Sequence, residues 1–328
     1  MANGAAGNLG NTLGTSGLRH GLLLINSQSR RGAAALGDAI AQLEAQGLEL
    51  TFRSTRHPKD LPAIIERHQD KVDCVVIGGG DGTLNAALPG LLKTQLPLGI
   101  LPLGTANDLA RTLGLPTDLS AACDVIAQGH LHRIDIGLAN QHPFFNVASL
   151  GLSVDITQRL TRDAKKQWGV LAYLWAAMQT MLNSRPFHAT IETDAKKIPV
   201  NTVQIAVGNG RFYGGGMAIA WDATIDDGRL DLYSLEAHHW WDMINILPAV
   251  YRGQLGQVSN ARTLESQAFR VTTERPQPIN TDGEISTTTP VLFEIKRRAI
   301  AVFTPETLDA SGLTAKAEAW NPFDASVL

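Results

Sequence analysis

Apolar residues fall into two textures along the chain. Up to about residue 134, short continuous apolar runs alternate with stretches of helical spacing. Leu22-Leu23-Leu24-Ile25 is an uninterrupted run, as expected of a strand buried on both faces. Residues 32–46 have helical spacing and stop at Gly47, a C-cap position. Residues 48–53 and 72–77 read as further strands, with Asp60-Leu61-Pro62 between them as a cap and first-turn proline of a helix. A helix over 84–93, a strand over 98–101, and helices over 108–113 and 119–128 continue the alternation, the last ending at Gly129. This pattern predicts a parallel sheet with helices on both faces. In such sheets ligands lie beyond the carboxyl ends of the strands.

After residue 134 the runs are shorter and mostly extended, at 133–138, 144–148, 189–193, 203–207, 230–235, 268–272, 291–295 and 299–303. Helical spacing returns only at 154–163, 169–182 and 240–251. A second, mainly antiparallel β domain is predicted, giving the class α/β plus all-β. At 328 residues the chain suits two cores, because single domains cluster near roughly 100–150 residues. No internal repeat is visible.

Composition narrows the function. A net charge of -3 and a pI near 6.3 argue against a basic nucleic-acid-binding surface, and Arg30-Arg31 and Lys165-Lys166 read as solvated faces. Cys74 and Cys123 lack CxxC spacing and read as buried thiols in a reducing compartment. The nine histidines show no ligand spacing. Residues 1–18, rich in Gly, Ala and Asn, read as a disordered tail rather than a secretory signal. The longest apolar stretch, 168–182, is interrupted by Gln179 and is short of the ~20 residues a bilayer requires, so no transmembrane segment is expected.

Two small-residue turns stand one strand apart. Ile77-Gly78-Gly79-Gly80-Asp81-Gly82-Thr83-Leu84-Asn85 leaves one apolar run, and Leu101-Pro102-Leu103-Gly104-Thr105-Ala106-Asn107-Asp108 leaves the next. Each lets backbone N–H groups approach a polyphosphate without an intervening Cβ. Neither turn carries the Lys-Ser/Thr of a Walker A element nor fits Gly-x-Gly-x-x-Gly. Asp81 discriminates, because a carboxylate beside phosphates is repulsive unless it binds Mg²⁺ or accepts a proton. The combination suggests a nucleotide-dependent phosphotransferase.

Gly79 to Asn85, followed by Pro102-Leu103-Gly104-Thr105-Ala106-Asn107-Asp108-Leu109-Ala110, resembles the diacylglycerol kinase catalytic-domain family, in its soluble bacterial YegS and DgkB type, related to sphingosine kinases. NAD kinases and phosphofructokinases share only the Gly-Gly-Asp-Gly core. The resemblance runs from about Leu22 to Thr304. It includes Asn26-Ser27-Gln28-Ser29-Arg30-Arg31-Gly32, with Ser27 where proline is usual, then Asp135-Ile136-Gly137 and Asn146 with Ser149-Leu150-Gly151. Gly208-Asn209-Gly210, Tyr213-Gly214-Gly215-Gly216-Met217, Asp226-Asp227-Gly228-Arg229-Leu230-Asp231 and Asp282-Gly283-Glu284 continue it. It implies a NAD-kinase-like parallel α/β domain over 19–134, an antiparallel β-sandwich over 135–300, and a segment over 301–328 returning to the first domain.

The resemblance also implies an ATP-dependent kinase of diacylglycerol or a similar lipid alcohol, with ATP and Mg²⁺ as cofactors. Asp81 would take the proton of the lipid hydroxyl or act through Mg²⁺, and Asp108 and Glu284 would complete an acidic cluster. Gly78, Gly79, Gly80, Gly82, Thr83, Gly104 and Thr105 would contact the nucleotide, with Asn26 and Thr55 facing the same crevice. Asp227 would be a ligand of a structural cation. Read from the residues alone, Asp108 also fits a helix cap, Glu284 and Asp226-Asp227-Gly228 also fit turns, and Asn26 and Thr55 also fit loop caps.

One departure matters: the family commonly carries Glu after the Asn of its first motif, where this chain has Ala86. That points to an altered substrate or weak activity. It motivates two alternatives, a kinase of a soluble acceptor and a non-catalytic nucleotide-binding sensor. A lipid acceptor implies a cytoplasmic protein that docks transiently on a membrane surface, either as a monomer or as a homodimer. Trp168, Tyr173, Trp175, Trp240 and Trp241 are aromatic enough for that interface and equally fit a core.

Overall fold

The computed structural model describes residues 20–26, 30–54, 57–151, 186–210, 212–213, 217–218, 224–236 and 261–306. Thr55, the tail over 1–18, the helices expected over 154–163, 169–182 and 240–251, and the five aromatic residues named above lie outside the described residues.

The first half alternates as its apolar pattern requires: β1 (His20–Ile25), α1 (Arg30–Ala45), β2 (Glu49–Ser54), α2 (Leu61–His68), β3 (Cys74–Gly79), α3 (Asp81–Thr94), β4 (Leu98–Pro102), α4 (Asp108–Thr112) and α5 (Leu119–Gln128). Gly47 follows α1 with φ +91, the left-handed conformation glycine adopts without a Cβ penalty. Asp60 does not cap α2 through its side chain; a single 3-10 turn over Pro58–Asp60 leads into the helix instead. α3 starts at Asp81, three residues before the position its apolar spacing suggests. Extended Gly80 serves as its N-cap, with the N–H groups of Thr83 and Leu84 both donating to the Gly80 carbonyl. Asp81, Gly82 and Thr83 are therefore first-turn helical residues rather than loop.

The second half is built from β5 (Leu131–Ala139), β6 (His142–Phe144), β7 (Val147–Gly151), β8 (Phe187–Glu192), β9 (Lys197–Thr202), β10 (Gln204–Gly208), β11 (Phe212–Tyr213), β12 (Met217–Ala218), β13 (Leu230–Leu235), β14 (Ala261–Ser266), β15 (Ala268–Thr273), β16 (Pro278–Thr281), β17 (Glu284–Thr288) and β18 (Val291–Phe303).

One ten-stranded sheet runs β2-β1-β3-β4-β18-β15-β8-β9, with β5 on β18 and β6 on β5. Its first strands are parallel, and β18 joins them at Val302, which pairs with Leu98 of β4. The same strand pairs antiparallel with β5 along most of its length and, at its start, with β15. Residues 134 and 135, where the sequence texture changes, fall inside β5, and residues 300 and 301 fall inside β18. A six-stranded antiparallel sheet, β14-β13-β10-β7-β16-β17, faces the lower part of the first.

Burial explains the layering. Leu22, Leu24, Val75 and Ile77 pack toward α2 and α3 through Leu61, Ile65, Leu84, Leu88 and Leu91. The alternate positions Leu23, Ile25, Cys74 and Val76 pack toward α1 and α5 through Ala39, Leu43, Cys123 and Ile126. A separate core joins the two sheets of the second half, with Ile191, Phe269, Val271 and Phe293 from one against Leu150, Ile205, Val207 and Leu232 from the other. These are a parallel α/β domain and an antiparallel β-sandwich.

Candidate active site

The two glycine turns meet at the carboxyl edge of the parallel sheet. Gly78 and Gly79 end β3, and Gly79 pairs with Pro102 at the end of β4. A Cβ on Gly104 would lie 2.5 Å from the Gly80 Cα, so the two backbones touch and position 104 has no room for a side chain, while a Cβ on Gly80 would lie a tight 3.0 Å from the Gly104 Cα. Gly78 has a different reason for being glycine: a Cβ there would lie 2.5 Å from Ile25 Cγ1, which makes it a packing residue of β1 and β3. Gly82 is exposed, and a Cβ on it would meet nothing within 4 Å, so open space lies over the first turn of α3. The N–H groups at the start of an α-helix have no carbonyl in their own helix, and its dipole favours an anion there. Gly79, Gly80 and Thr83 are half-buried beside that space, Asn26 is half-buried after β1, and Thr105 is exposed.

Asp81 is tied to the second turn. Its Oδ1 accepts the Leu109 N–H at 3.1 Å, so a first-turn residue of α3 supplies the acceptor for the start of α4. The cap position of α4 belongs to Asn107, which sits at φ 51 and ψ 45, while Asp108 is already helical and 6% exposed. The cap alternative for Asp108 therefore fails. Ala86 packs half-buried against the hydrophobic core of the α/β domain. The family's usual Glu is thus replaced by a residue that serves packing.

In the Asp-Gly-Glu turn the inward carboxyl is Asp282, not Glu284. Glu284 is exposed at the start of β17. Asp282, at φ 48, accepts the N–H groups of Phe145, Asn146 and Val147 at 2.7, 3.0 and 3.0 Å. Burial pushes its carboxyl up to about 6 against those three hydrogen bonds, and the charge of Asp81 acts in the same upward direction as burial. Asp282 thus lies within electrostatic reach of Asp81. In the sequence Asp282 stands inside the Asp-Gly-Glu motif with no assigned role, and its only local signal is the left-handed turn expected of Asp-Gly.

Near this turn, buried polar atoms lack hydrogen-bond partners: Thr112 Oγ1, Asn146 Oδ1 and Asn209 Oδ1; Asn85 Oδ1 in α3 is another such atom. The Nδ2 of Asn209 donates to the carbonyls of Asp135 and Phe145, and its N–H donates to Asn146, which fixes the join between the domains. A Cβ on Gly210 would lie 3.3 Å from Asn146 Oδ1, so that oxygen is closely approached by β10's exit. Buried polar atoms of this kind are normally satisfied by ligand or water.

The residues suit a nucleotide better than a resident structural metal. The open space beside Gly82 has the exposed start of α3 on one side and, among the described residues, no cluster of carboxylates around it. Asp227 does not suit a cation: its carboxylate accepts the N–H groups of Thr224 and Arg229, and Arg229 Nε lies 3.2 Å from its Oδ2. Arg229 also pairs with Glu265 at 2.8 Å, and the Arg297 guanidinium lies over Gly228. Buried Asp135 accepts the Gly228 and Arg298 N–H groups, bracing the same loop. Among the described residues, no group of three or more His, Cys, Asp or Glu side chains is placed to hold a metal ion.

Two glycine turns thus meet at the tips of a parallel sheet, with the Asp81 carboxylate held between them and a β-sandwich joined to the sheet. The chain belongs to the diacylglycerol kinase catalytic-domain family. The diacylglycerol kinase catalytic domain matches residues 20–139, and the YegS C-terminal NAD kinase beta sandwich-like domain matches residues 146–304. The chain is 30% identical over 294 residues to a probable lipid kinase, YegS-like, of Shewanella frigidimarina, covering 88% of this chain and 94% of that one. It is 29% identical over 273 residues to a diacylglycerol kinase of Staphylococcus saprophyticus, covering 82% of this chain and 90% of that one. In fold it is similar to a crystal structure of a diacylglycerol kinase from Bacillus anthracis, with a TM-score of 0.76, 24% identity, and coverage of 89% of this chain and 99% of that one.

Proposed function

We propose that this kinase transfers the γ-phosphate of ATP to the hydroxyl of diacylglycerol or a similar lipid alcohol. The observation that carries the reading is the Asp81 carboxylate, held by the Leu109 N–H between two touching glycine turns at the start of α3. In this reading the phosphates lie over Gly80 and Gly82, facing the N–H groups of Asp81 and Gly82 at the start of α3. Asp81 accepts the proton of the lipid hydroxyl. The lipid oxygen then bonds to the γ-phosphorus as the bond to the β-phosphate oxygen breaks, and ADP leaves with that electron pair. Positioning and charge stabilisation carry most of the rate in such transfers. Mg²⁺, when bound with ATP, would supply charge neutralisation on the phosphates. Asp108 and Asp282 maintain a negative environment around the base.

The lipid is reached by transient docking on a bilayer surface. No helix among the described residues is long and apolar enough to cross a membrane. The test is purified protein with labelled ATP, Mg²⁺ and vesicles containing a panel of lipid alcohols, beside a relative of known activity. Label in the lipid supports the reading. Transfer without lipid favours a soluble acceptor. Calorimetric ATP binding with no turnover on any hydroxyl favours the sensor that Ala86 suggests.

A further inference from the structure

We infer that Asn107 is the positioning residue of the crevice, a clamp that shapes the second glycine turn so that α4 holds Asp81; its catalytic meaning rests on the phosphotransfer reading above. Asn107 is 8% exposed, and its carboxamide is engaged on both sides by one residue. Oδ1 accepts the Gly104 N–H at 2.9 Å, and Nδ2 donates to the Gly104 carbonyl at 3.1 Å. The side chain thus acts toward Gly104 as a neighbouring strand would, closing residues 104–107 into a ring.

Three consequences follow from that ring. The Gly104 peptide is fixed while its Cα presses on Gly80, where a Cβ would lie 2.5 Å from the Gly80 Cα and 2.6 Å from Asn107 Oδ1. The Gly104 N–H is engaged internally, so phosphate recognition by backbone amides falls to the first turn of α3 rather than to this glycine. Finally, the backbone leaves Asn107 in the left-handed region, φ 51, and enters α4 in the direction that brings the Leu109 N–H to Asp81. Asparagine is one of the few residues besides glycine that visits this conformation readily, and its short carboxamide offers both a donor and an acceptor.

The test separates the clamp from its catalytic meaning. Backbone amide exchange of the full chain without substrate reads the clamp directly. The Gly104 amide is protected in the wild type and exchanges at least about tenfold faster in Asn107→Gly, which keeps the left-handed backbone and lacks the carboxamide. Steady-state kinetics then read positioning: Asn107→Gly lowers kcat about 100-fold, the order expected for a base displaced by an ångström, with the KM for ATP changed less than threefold. Asn107→Asp keeps the acceptor for the Gly104 N–H and restores part of both the protection and the rate. An unprotected Gly104 amide in the wild type overturns the clamp. A kcat within twofold of wild type in Asn107→Gly, or a loss confined to KM, overturns its positioning role. If the wild type phosphorylates no lipid, the functional reading fails while the exchange of Gly104 still decides the clamp.

Discussion

Asp81 and Leu109 are joined across two helices: the carboxylate at the start of α3 accepts the second N–H of α4 at 3.1 Å. One oxygen of the proposed base is therefore held in place, and the other is left for chemistry. Asp81→Asn keeps an acceptor for Leu109 and removes the base. Transfer to lipid should fall by about 10²–10⁴, the usual contribution of a general base, with ATP affinity and thermal midpoint close to wild type. Retained turnover in the labelled-ATP assay would remove Asp81 from the role of base.

Gly104→Ala should destabilise the fold and weaken nucleotide binding together. The added Cβ would lie 2.5 Å from the Gly80 Cα, a backbone atom that cannot rotate away. Overpacking of this kind costs about 1–3 kcal/mol, readable as a lowered urea midpoint with an unchanged m-value. Gly82→Ala, with nothing within 4 Å, is the matched control and should leave the midpoint nearly unchanged.

Asp282 predicts a pH slope. Its carboxyl is raised from 3.8 to about 6 in the folded protein, so between those values the native state binds more protons than the unfolded one. Its contribution therefore makes stability fall as pH rises from about 4 to 6, and level off above. At about 1.4 kcal/mol per pKa unit, the two-unit shift bounds the effect near 3 kcal/mol. Asp282→Asn should flatten that part of the stability profile measured by urea unfolding at successive pH values. An unchanged slope would show that another group carries it.

Chelation should leave the Asp227 loop intact. With Arg229 beside Asp227 and paired to Glu265, EDTA should shift the thermal midpoint by less than about 2 °C, whereas Arg229→Met, by removing partners from partly buried carboxylates, should cost about 1–2 kcal/mol. A drop of several degrees with EDTA, reversed by Mg²⁺, would instead make the loop a cation site.

The two cysteines should resist alkylation. Burial pushes the Cys74 thiol up to about 12, with Asp73 adding to it, and the Cys123 thiol up to about 11, with Asp124 and Asp118 adding. The thiolate is the nucleophile, so iodoacetamide at pH 8 should label neither in the native protein and both in urea. Native labelling would mean that these elements open locally.

Local periodicity made the α/β half legible: the apolar runs at 22–25 and 98–101 fall within β1 and β4, and the run at 72–77 overlaps β3 from residue 74 on, because strands buried on both faces show few polar breaks. The start of α3 was missed because Gly80 to Thr83 reads as a loop by composition, while a cap at Gly80 makes Asp81 helical. Strand order was not legible, since nothing near residue 302 signals its pairing with Leu98. At the site, the glycine turns and Asp81 were visible as residue types at a spacing. The inward role of Asp282 and the clamp of Asn107 depend on left-handed backbone angles and on partners more than a hundred residues away in one case, neither of which a linear pattern encodes.

Leu98 and Val302 belong to neighbouring strands of one sheet although some two hundred positions separate them. During synthesis β4 therefore emerges as an unshielded border, with its outer amides and carbonyls open to any extended segment in the cell until β18 is made. The nascent amino-terminal half is a fragment prone to self-association. A truncation that removes β18 should precipitate rather than persist as an independent nucleotide-binding unit.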